Sequence, residues 1–218
     1  MIGGGSVGLV ASVLTAILTA GQSGSLSDGE VREAVRLGES GQWRRQTIRC
    51  IAAPDLGEVM TADRAGGVQR DGRYSVTIGT AASAVAIRAA HARQASKNLR
   101  AEEIDDEMRL PGIFAVVEPE KPRLIREAQR VSVPAPVQSV LLQSSERLGS
   151  VIWPEAVETE AVDVPDLRGG TVPGNRAVAR FKLESVRGLA GDLQLVVVTH
   201  EGERRCQVRR KDVAKLTK

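Results

Sequence analysis

Prolines recur through the second half of the chain and restrict what that half can form. Eight of the nine prolines are spread over this part: Pro111, Pro119, Pro122, Pro134, Pro136, Pro154, Pro165 and Pro173. Proline removes a backbone donor and clashes with the preceding helical turn, so no long helix fits between these positions. The spacing therefore predicts short strands joined by turns.

The segments between and after these prolines are β-like, and one of them shows the apolar–polar alternation of a strand clearly. In residues 177–183, Ala179 and Phe181 share one face. Strands are also predicted over 113–117, 137–142, 157–164, 193–199 and 203–208. A tight turn at Glu201-Gly202 joins the last two as a hairpin. Many short strands with turn signals between them favour a β-sandwich or a small barrel.

The first half of the chain combines helices with two strands. Ser27-Asp28-Gly29-Glu30 is a capping box, which predicts a short helix that ends at Gly38 and Gly41. Further elements follow in order: a strand over 46–52, a loop over 55–72, a strand over 74–78, an alanine-rich helix from Thr80 to Leu99 and a helical turn over 102–108. The sequence thus predicts an α+β fold, with N-terminal helices and two strands packed on a C-terminal antiparallel β-sandwich-like domain.

The first 25 residues carry no charged side chain. Val7 to Ala20 form an apolar run with small residues after it, which is the layout of a secretory signal peptide and its cleavage region. The run is short for a membrane span. A cleaved signal peptide is favoured, while an uncleaved membrane anchor and a buried core helix of a cytoplasmic protein stay open. The predicted division is a signal peptide or anchor (1–25), a mixed helical region (26–110) and a β-rich domain (111–218).

Cys50 and Cys206 are the only cysteines of the chain. Each lies in a predicted strand, on the same face as the apolar Ile48 and Val208 respectively. An even count in an exported chain permits one disulfide. Such a bond would close a loop of more than 150 residues, and the chain-entropy model gives it roughly 4–5 kcal/mol of stabilisation. Two separately buried thiols are the alternative, because the sequence does not show proximity.

Positive charge is concentrated near the C-terminus, although the formal net charge of +3 is mild and does not by itself imply a nucleic-acid partner. The candidate patch for an anionic partner consists of Arg204, Arg205, Arg209, Arg210 and Lys211. Single-strand binding also uses stacking aromatic residues, and none lies among these side chains. A charged surface strand and tail is the favoured interpretation, with nucleic acid or anionic lipid as the alternative partner.

Aromatic residues are scarce throughout the chain. There are five: Trp43, Tyr74, Phe114, Trp153 and Phe181. The core is therefore predicted to consist of Val, Leu, Ile and Ala, which pack through many small contacts and few large anchors.

The motifs of common catalytic and cofactor sites do not occur in a workable context. Gly3-x-Gly5-x-x-Gly8 matches the dinucleotide fingerprint, but two residues cannot form the strand that must precede it. His91 and His200 have no other His or Cys at metal-ligand spacing. The acidic residues over 102–107 lack the alternation and the glycine of a calcium loop. The sequence predicts no catalytic residue, no metal site and no cofactor.

Several segments resemble a family of uncharacterised bacterial proteins that carry signal peptides. They are Leu26–Gly38, the strand 74–80 leading into the alanine-rich helix, the stretch 104–111 leading into a strand, and the stretch 196–208 with Lys211-Asp212-Val213. Together they span most of the mature chain. The resemblance implies export and compact folding, and the family has no assigned activity to transfer.

Export, a β-rich architecture and the missing catalytic motifs favour a non-catalytic module, periplasmic or extracellular, that binds a protein or a cell-envelope component. Two alternatives stay open. One is an exported hydrolase whose site is assembled from residues distant in sequence, which would show a cleft lined by His91 or His200 and by acids with shifted pKa values. The other is a membrane-anchored accessory subunit, which requires that the N-terminal segment stay attached.

Overall fold

The computed structural model describes seven stretches of the chain: 24–54, 72–125, 130–132, 134–145, 150–165, 169–189 and 191–217. Nearly all of the predicted signal peptide or anchor (1–25) and nearly all of the predicted loop over 55–72 lie outside these residues. The fold is mixed, with helices and two antiparallel sheets, as the sequence predicts at this level. None of the helices in the described stretches combines the length and the hydropathy that a membrane span requires.

The chain divides into two compact units, and the first is helical. Its described residues are 24–47, 79–114 and 214–217. The helices are α1 (Asp28–Ser40), α2 (Ala81–Gln94) and α3 (Asp106–Arg109), and two 3-10 turns cover Gln42–Gln46 and Ala101–Glu103.

Helix α1 begins at the predicted capping box. The backbone N–H of Ser27 donates to the Glu30 carboxylate at 2.8 Å, and the Ser27 hydroxyl accepts from the Glu30 N–H at 3.4 Å. The helix ends at Gly41, whose φ of 73° is accessible because glycine has no side chain. The prediction that Gly38 also ends the helix is wrong, since Gly38 lies inside α1 at a close contact with α2.

Helix α2 packs on α1 through small residues. Thr80 is its N-cap residue, as predicted, but its side chain makes no capping hydrogen bond. The helix ends at Gln94, five residues before the predicted end at Leu99. Ser96 takes the left-handed conformation with φ 57°, which interrupts the helical path.

The second unit holds the two sheets and covers the described parts of 48–78 and 115–213. The strands are β1 (Ile48–Ala52), β2 (Tyr74–Thr80), β3 (Ile113–Pro119), β4 (Arg123–Ile125), β5 (Arg130–Ser132), β6 (Val137–Ser144), β7 (Val151–Ile152), β8 (Ala156–Pro165), β9 (Thr171–Phe181), β10 (Leu193–Thr199) and β11 (Gly202–Val208). Helix α4 (Leu183–Arg187) follows β9, and α5 (Arg210–Leu216) follows β11.

The strand order defines which strands are edges. The larger sheet has the order β1-β2-β3-β9-β8, the smaller sheet has the order β11-β10-β6-β7, and β4 pairs with β5. Ala53, just after β1, exchanges two backbone hydrogen bonds with Arg205 of β11, at 3.2 and 2.9 Å. Strand β8 therefore lies at one end of the larger sheet, while β1 at the other end continues toward the smaller sheet.

The core is aliphatic, as the scarcity of aromatic residues predicts. Val76, Val117, Val140 and Leu195 are fully buried. Four of the five aromatic residues are also buried, namely Trp43, Tyr74, Phe114 and Phe181.

The two units are interleaved along the chain, whereas the sequence interpretation divides the chain at residue 110. Strands β1 and β2 pair with each other and belong to the unit that holds the sheets, although the intervening helix α2 belongs to the helical unit. The structure also contains helices α4 and α5, which the sequence interpretation did not predict.

Candidate functional site

Cys50 of β1 and Cys206 of β11 form a disulfide. Their Cα atoms are 5.9 Å apart, within the usual range for this bond. The strand alternation that the sequence predicts brings this about, because Ile48, Cys50 and Ala52 share the less exposed face of β1. Of the two arrangements that the sequence left open, the structure has the bonded one, and it closes a sequence separation of 156 residues.

Three consecutive residues of β11 hold the chain on both sides of the undescribed segment 55–71. Arg204 donates from Nε to the Gly72 carbonyl at 2.9 Å, Arg205 pairs with Ala53 through the backbone, and Cys206 is bonded to Cys50. These three contacts fix the positions at which the chain leaves β1 and returns to β2.

Arg204 is buried, with a relative exposure of 1%, although the sequence interpretation placed it in a surface patch. Its guanidinium donates to the carbonyls of Gly72 and Glu203 and lies 3.5 Å from the carboxylate of Glu201. Arg204 shares the inward face of β11 with Cys206 and Val208, because strand residues two apart point the same way. It therefore cannot contribute to a surface for an anionic partner.

The other four basic residues of the predicted patch do not form one uninterrupted cationic surface. Arg205 is exposed and pairs with Glu203 at 2.6 Å, and Arg209 pairs with Asp212 at 3.1 Å. Arg210 and Lys211 are exposed in the first turn of α5. Of the five residues of the predicted patch, Arg210 and Lys211 are thus the two that are exposed and that remain after the buried Arg204 and the ion-paired Arg205 and Arg209 are set aside.

Tyr74 is a buried polar residue at the start of β2. Its hydroxyl donates to the Ala135 carbonyl. Burial raises the pKa of Tyr74 well above its ordinary value; the charge of Arg204 opposes this shift and that of Glu201 adds to it. The phenol is therefore neutral at physiological pH and acts as a hydrogen-bond donor inside the unit.

Strand β8 exposes a free edge. The N–H of Glu155, just before β8, donates to the Arg180 carbonyl of β9 at 2.8 Å, so Arg180 directs its backbone groups toward β8 and its pair with Ala156 is of the hydrogen-bonded kind. Asp163 and Pro173 lie seven positions further along the ladder, so their pair is of the non-hydrogen-bonded kind, which suits a proline because it has no N–H. Pair types alternate along an antiparallel ladder, and therefore Val157, Thr159, Ala161 and Asp163 direct their backbone N–H and C=O groups away from β9. Within the described residues no strand covers this side of β8.

The outer face beside this edge carries a row of alternating charges. Arg176 of β9 donates from Nε to Glu118 of β3 and from a terminal nitrogen to Glu160 of β8, both at 3.1 Å. The Glu160 side chain is 71% exposed. Glu158, on the same face, is exposed and has no ion-pair partner among the described residues. The row across three strands thus ends on a carboxylate at the edge.

Trp153 stands apart from the other aromatic residues because it is 63% exposed. It lies between β7 and β8, and Val151 two residues earlier is 47% exposed. Tryptophan is enriched at the centres of protein interfaces. An exposed indole next to a free strand edge therefore marks this end of the second unit as a candidate binding surface.

The histidines and acidic residues that the sequence singled out do not assemble into a site. His91 is half-buried in the last turn of α2, and His200 is exposed in the turn before β11, in the other unit. Among the described carboxyl groups, Asp28 and Glu33 have a lowered pKa, Asp28 through a hydrogen bond from Arg109 and Glu33 through one from Arg36. These shifts are explained by ion pairs. Across the described stretches, no cluster of His, Cys, Asp and Glu is arranged to hold a metal ion.

The sequence interpretation missed the free edge of β8, although it predicted a strand there. Its local signal is the alternation Glu158-Thr159-Glu160-Ala161, which lacks a fully apolar face.

Comparison of the chain with protein-family models, with curated proteins and with solved structures finds no match.

Proposed function

We propose that this chain is an exported, non-catalytic module that binds a protein or a cell-envelope component through its second unit. The observation that carries the proposal is the exposed, acidic edge of β8, with the exposed Trp153 in the short connection between β7 and β8. A free edge presents unpaired backbone groups that can pair with another chain. β8 is ten residues long, and no described strand pairs with its outer side. Its exposed carboxylates restrict such pairing to a partner of complementary charge.

The disulfide supports the exported location, periplasmic or extracellular. Disulfides persist in oxidising compartments and are rare where cytosolic reductants act. The apolar run of the first 25 residues and the resemblance to signal-peptide-bearing bacterial proteins point the same way, and both stay predictions. A membrane contact belongs to the proposal only if the N-terminal segment remains attached.

We also propose that the two sheets pack on each other as a β-sandwich-like domain, which the N-terminal helical region accompanies. Ala177, Ala179 and Phe181 share one face of β9 and are fully buried, and Leu195 and Val197 share one fully buried face of β10. Two sheets with facing apolar surfaces are the ordinary components of such a domain. The interrupted basic cluster disfavours nucleic acid as the partner.

The export half of the proposal is tested by the intact mass of the protein isolated from its own cell. We expect loss of about the first 21–25 residues, as for a cleaved leader, and alkylation of Cys50 and Cys206 only after reduction. A full-length mass with two freely alkylated thiols would contradict export with cleavage.

The binding half is tested by affinity capture from the cell envelope of the producing organism. The oxidised, folded chain is the bait, and the same chain after reduction, alkylation and unfolding is the matched control. We expect a component that is retained by the folded bait alone, in an amount comparable to the bait. Equal retention by both baits, or none by either, would contradict the proposal.

A further inference from the structure

We infer that the free edge of β8 is the docking site and that its occupant is an extended segment of a partner protein with basic side chains at alternate positions. The inference rests on the proposed function and specifies its surface and the chemistry of its partner. Strand addition of this kind takes affinity from main-chain hydrogen bonds and specificity from alternate side chains.

The backbone of β8 provides the hydrogen-bonding half of the site. Val157, Thr159, Ala161 and Asp163 direct their N–H and C=O groups outward, and Thr159, Ala161 and Asp163 are exposed. An incoming strand can pair with all four residues without disturbing β9, because the intervening residues make the bonds to β9. The edge therefore offers pairing over about seven residues, which is the length of an ordinary strand.

The charge row provides the specificity. The row crosses β3, β9 and β8 in the order Glu118, Arg176 and Glu160. The guanidinium of Arg176 pairs with both carboxylates, so the last charge at the β8 edge is the negative charge of Glu160. A cation on the next strand would continue the alternation and face the exposed carboxylate of Glu160. Glu158 lies two residues away on the same face, so a second cation two positions along the partner would face it in turn. Opposite charges directly across a strand pair are stabilising.

A second copy of this chain fits the edge less well. In a two-fold pairing centred on 157–163, Glu160 would lie directly opposite Glu160 of the second copy. A shift by one residue pair would place Glu158 opposite Glu160 instead. Like charges in these positions are destabilising, so the acidic edge selects against its own copy and for a basic segment.

The experiment is amide hydrogen exchange of the full oxidised chain with synthetic peptides as probes. The probe is Thr-Lys-Val-Lys-Val-Lys-Thr, and the controls are the same peptide with Glu in place of Lys and the Lys peptide with N-methylated Val residues. We expect excess Lys peptide to slow exchange at Val157, Thr159, Ala161 and Asp163. The amides of Glu158 and Glu160 already bond to β9 and should not change.

Two variants separate the backbone from the charge. Ala161→Pro removes one outward N–H that the β8–β9 ladder does not use, and it should abolish the protection, whereas Ala161→Val keeps the N–H and should not. Glu160→Gln keeps the backbone and should weaken the effect of the Lys peptide by about 1.5- to 5-fold, the range of one cross-strand ion pair. Its effect should shrink as salt is raised.

The outcomes are distinct. Unchanged exchange at the four outward amides, or equal protection by the Glu peptide, overturns the inference. Protection that depends on protein concentration without peptide also overturns it, because a second copy then occupies the edge. If envelope capture retains a partner equally on Ala161→Pro and on the unchanged chain, the edge inference fails while the proposed function stands. If capture retains nothing but the Lys peptide protects the edge, the proposed function fails.

Discussion

Arg204 and Arg205 are adjacent in the chain and have opposite environments. Arg204 points inward with Cys206 and is 1% exposed, while the side chain of Arg205 is 46% exposed. A buried guanidinium is stable only when its donors are satisfied, and Arg204 meets this need through the Gly72 carbonyl and Glu201. Position in the alternation of β11, and not charge alone, decides that one arginine is structural and the other is on the surface.

This difference predicts unequal effects of the same substitution. Arg204→Met should lower the free energy of unfolding by about 2–4 kcal/mol, because the Gly72 carbonyl and the Glu201 carboxylate lose their partner. Arg205→Met is the matched control and should cost less than about 1 kcal/mol, as for an exposed ion pair. Urea unfolding measures both, and equal losses would contradict the structural role of Arg204.

Two glycines of α1 provide a second matched pair. A Cβ at Gly38 would lie 2.1 Å from the Ala86 carbonyl oxygen and 2.8 Å from Ala89 Cβ, so α1 and α2 would have to separate. Gly38→Ala should destabilise the protein by about 1–3 kcal/mol or more, as overpacking does. Gly29→Ala meets nothing closer than 3.9 Å and should be neutral or stabilising. A thermal melt compares them, and a neutral Gly38→Ala would show that the helices are not in this close contact.

The pair of Asp28 and Arg109 predicts a pH dependence. The Arg109 hydrogen bond lowers the pKa of Asp28 below its ordinary value of 3.8, so the carboxylate contributes stability above that pH and loses it as the pH falls through the lowered pKa. The difference in urea midpoint between the unchanged chain and Asp28→Asn should therefore be largest near neutral pH and vanish in acid. Glu102→Gln, which removes an exposed carboxylate that has no described arginine partner, is the control. A difference that persists in strong acid would contradict this account.

Among the elements, those with a local signal are the ones that the sequence predicts. Strand β10 occupies the predicted residues 193–199, and α1 begins at the predicted capping box. Helix α5 was missed because its charged sequence shows no apolar periodicity. The inner position of Gly38 was missed because it depends on contacts with Ala86 and Ala89 of α2, which are distant in sequence. The free edge of β8 was missed for the same kind of reason, since only the strand order defines an edge.

The disulfide is the one covalent link between elements in the described residues. It joins β1 to β11 over 156 residues, so its loss frees a long loop in the unfolded chain. The double variant Cys50→Ala/Cys206→Ala should lose up to about 5 kcal/mol of stability. Reductant should lower the unfolding midpoint of the unchanged chain and leave that of the variant unaltered. If reductant changes neither midpoint, the bond contributes nothing to stability.

For the molecule as a whole, the two units are interleaved along the chain, so segments that are neighbours in sequence can belong to different units. The described parts of 48–78 and 115–213 form one unit, and helices α2 and α3, which lie between them in the chain, belong to the other. A division of the chain at residue 110 follows the change in composition, but sheet pairing crosses that line because β2 and β3 are neighbours in one sheet. Composition reports local tendency, whereas the units are defined by contacts between distant segments.

This organisation predicts that two perturbations act in different places. Gly38→Ala lies in the helical unit and should raise amide exchange first in α1 and α2, because local opening follows local contact loss. Reduction of Cys50 and Cys206 should raise exchange first in β1 and β11. Hydrogen exchange followed by mass spectrometry of peptic fragments compares both with the unchanged oxidised chain, and Gly29→Ala is the control for substitution in α1. If either perturbation raises exchange equally in all fragments, the chain opens as a single cooperative unit, and the two units are not independent in stability.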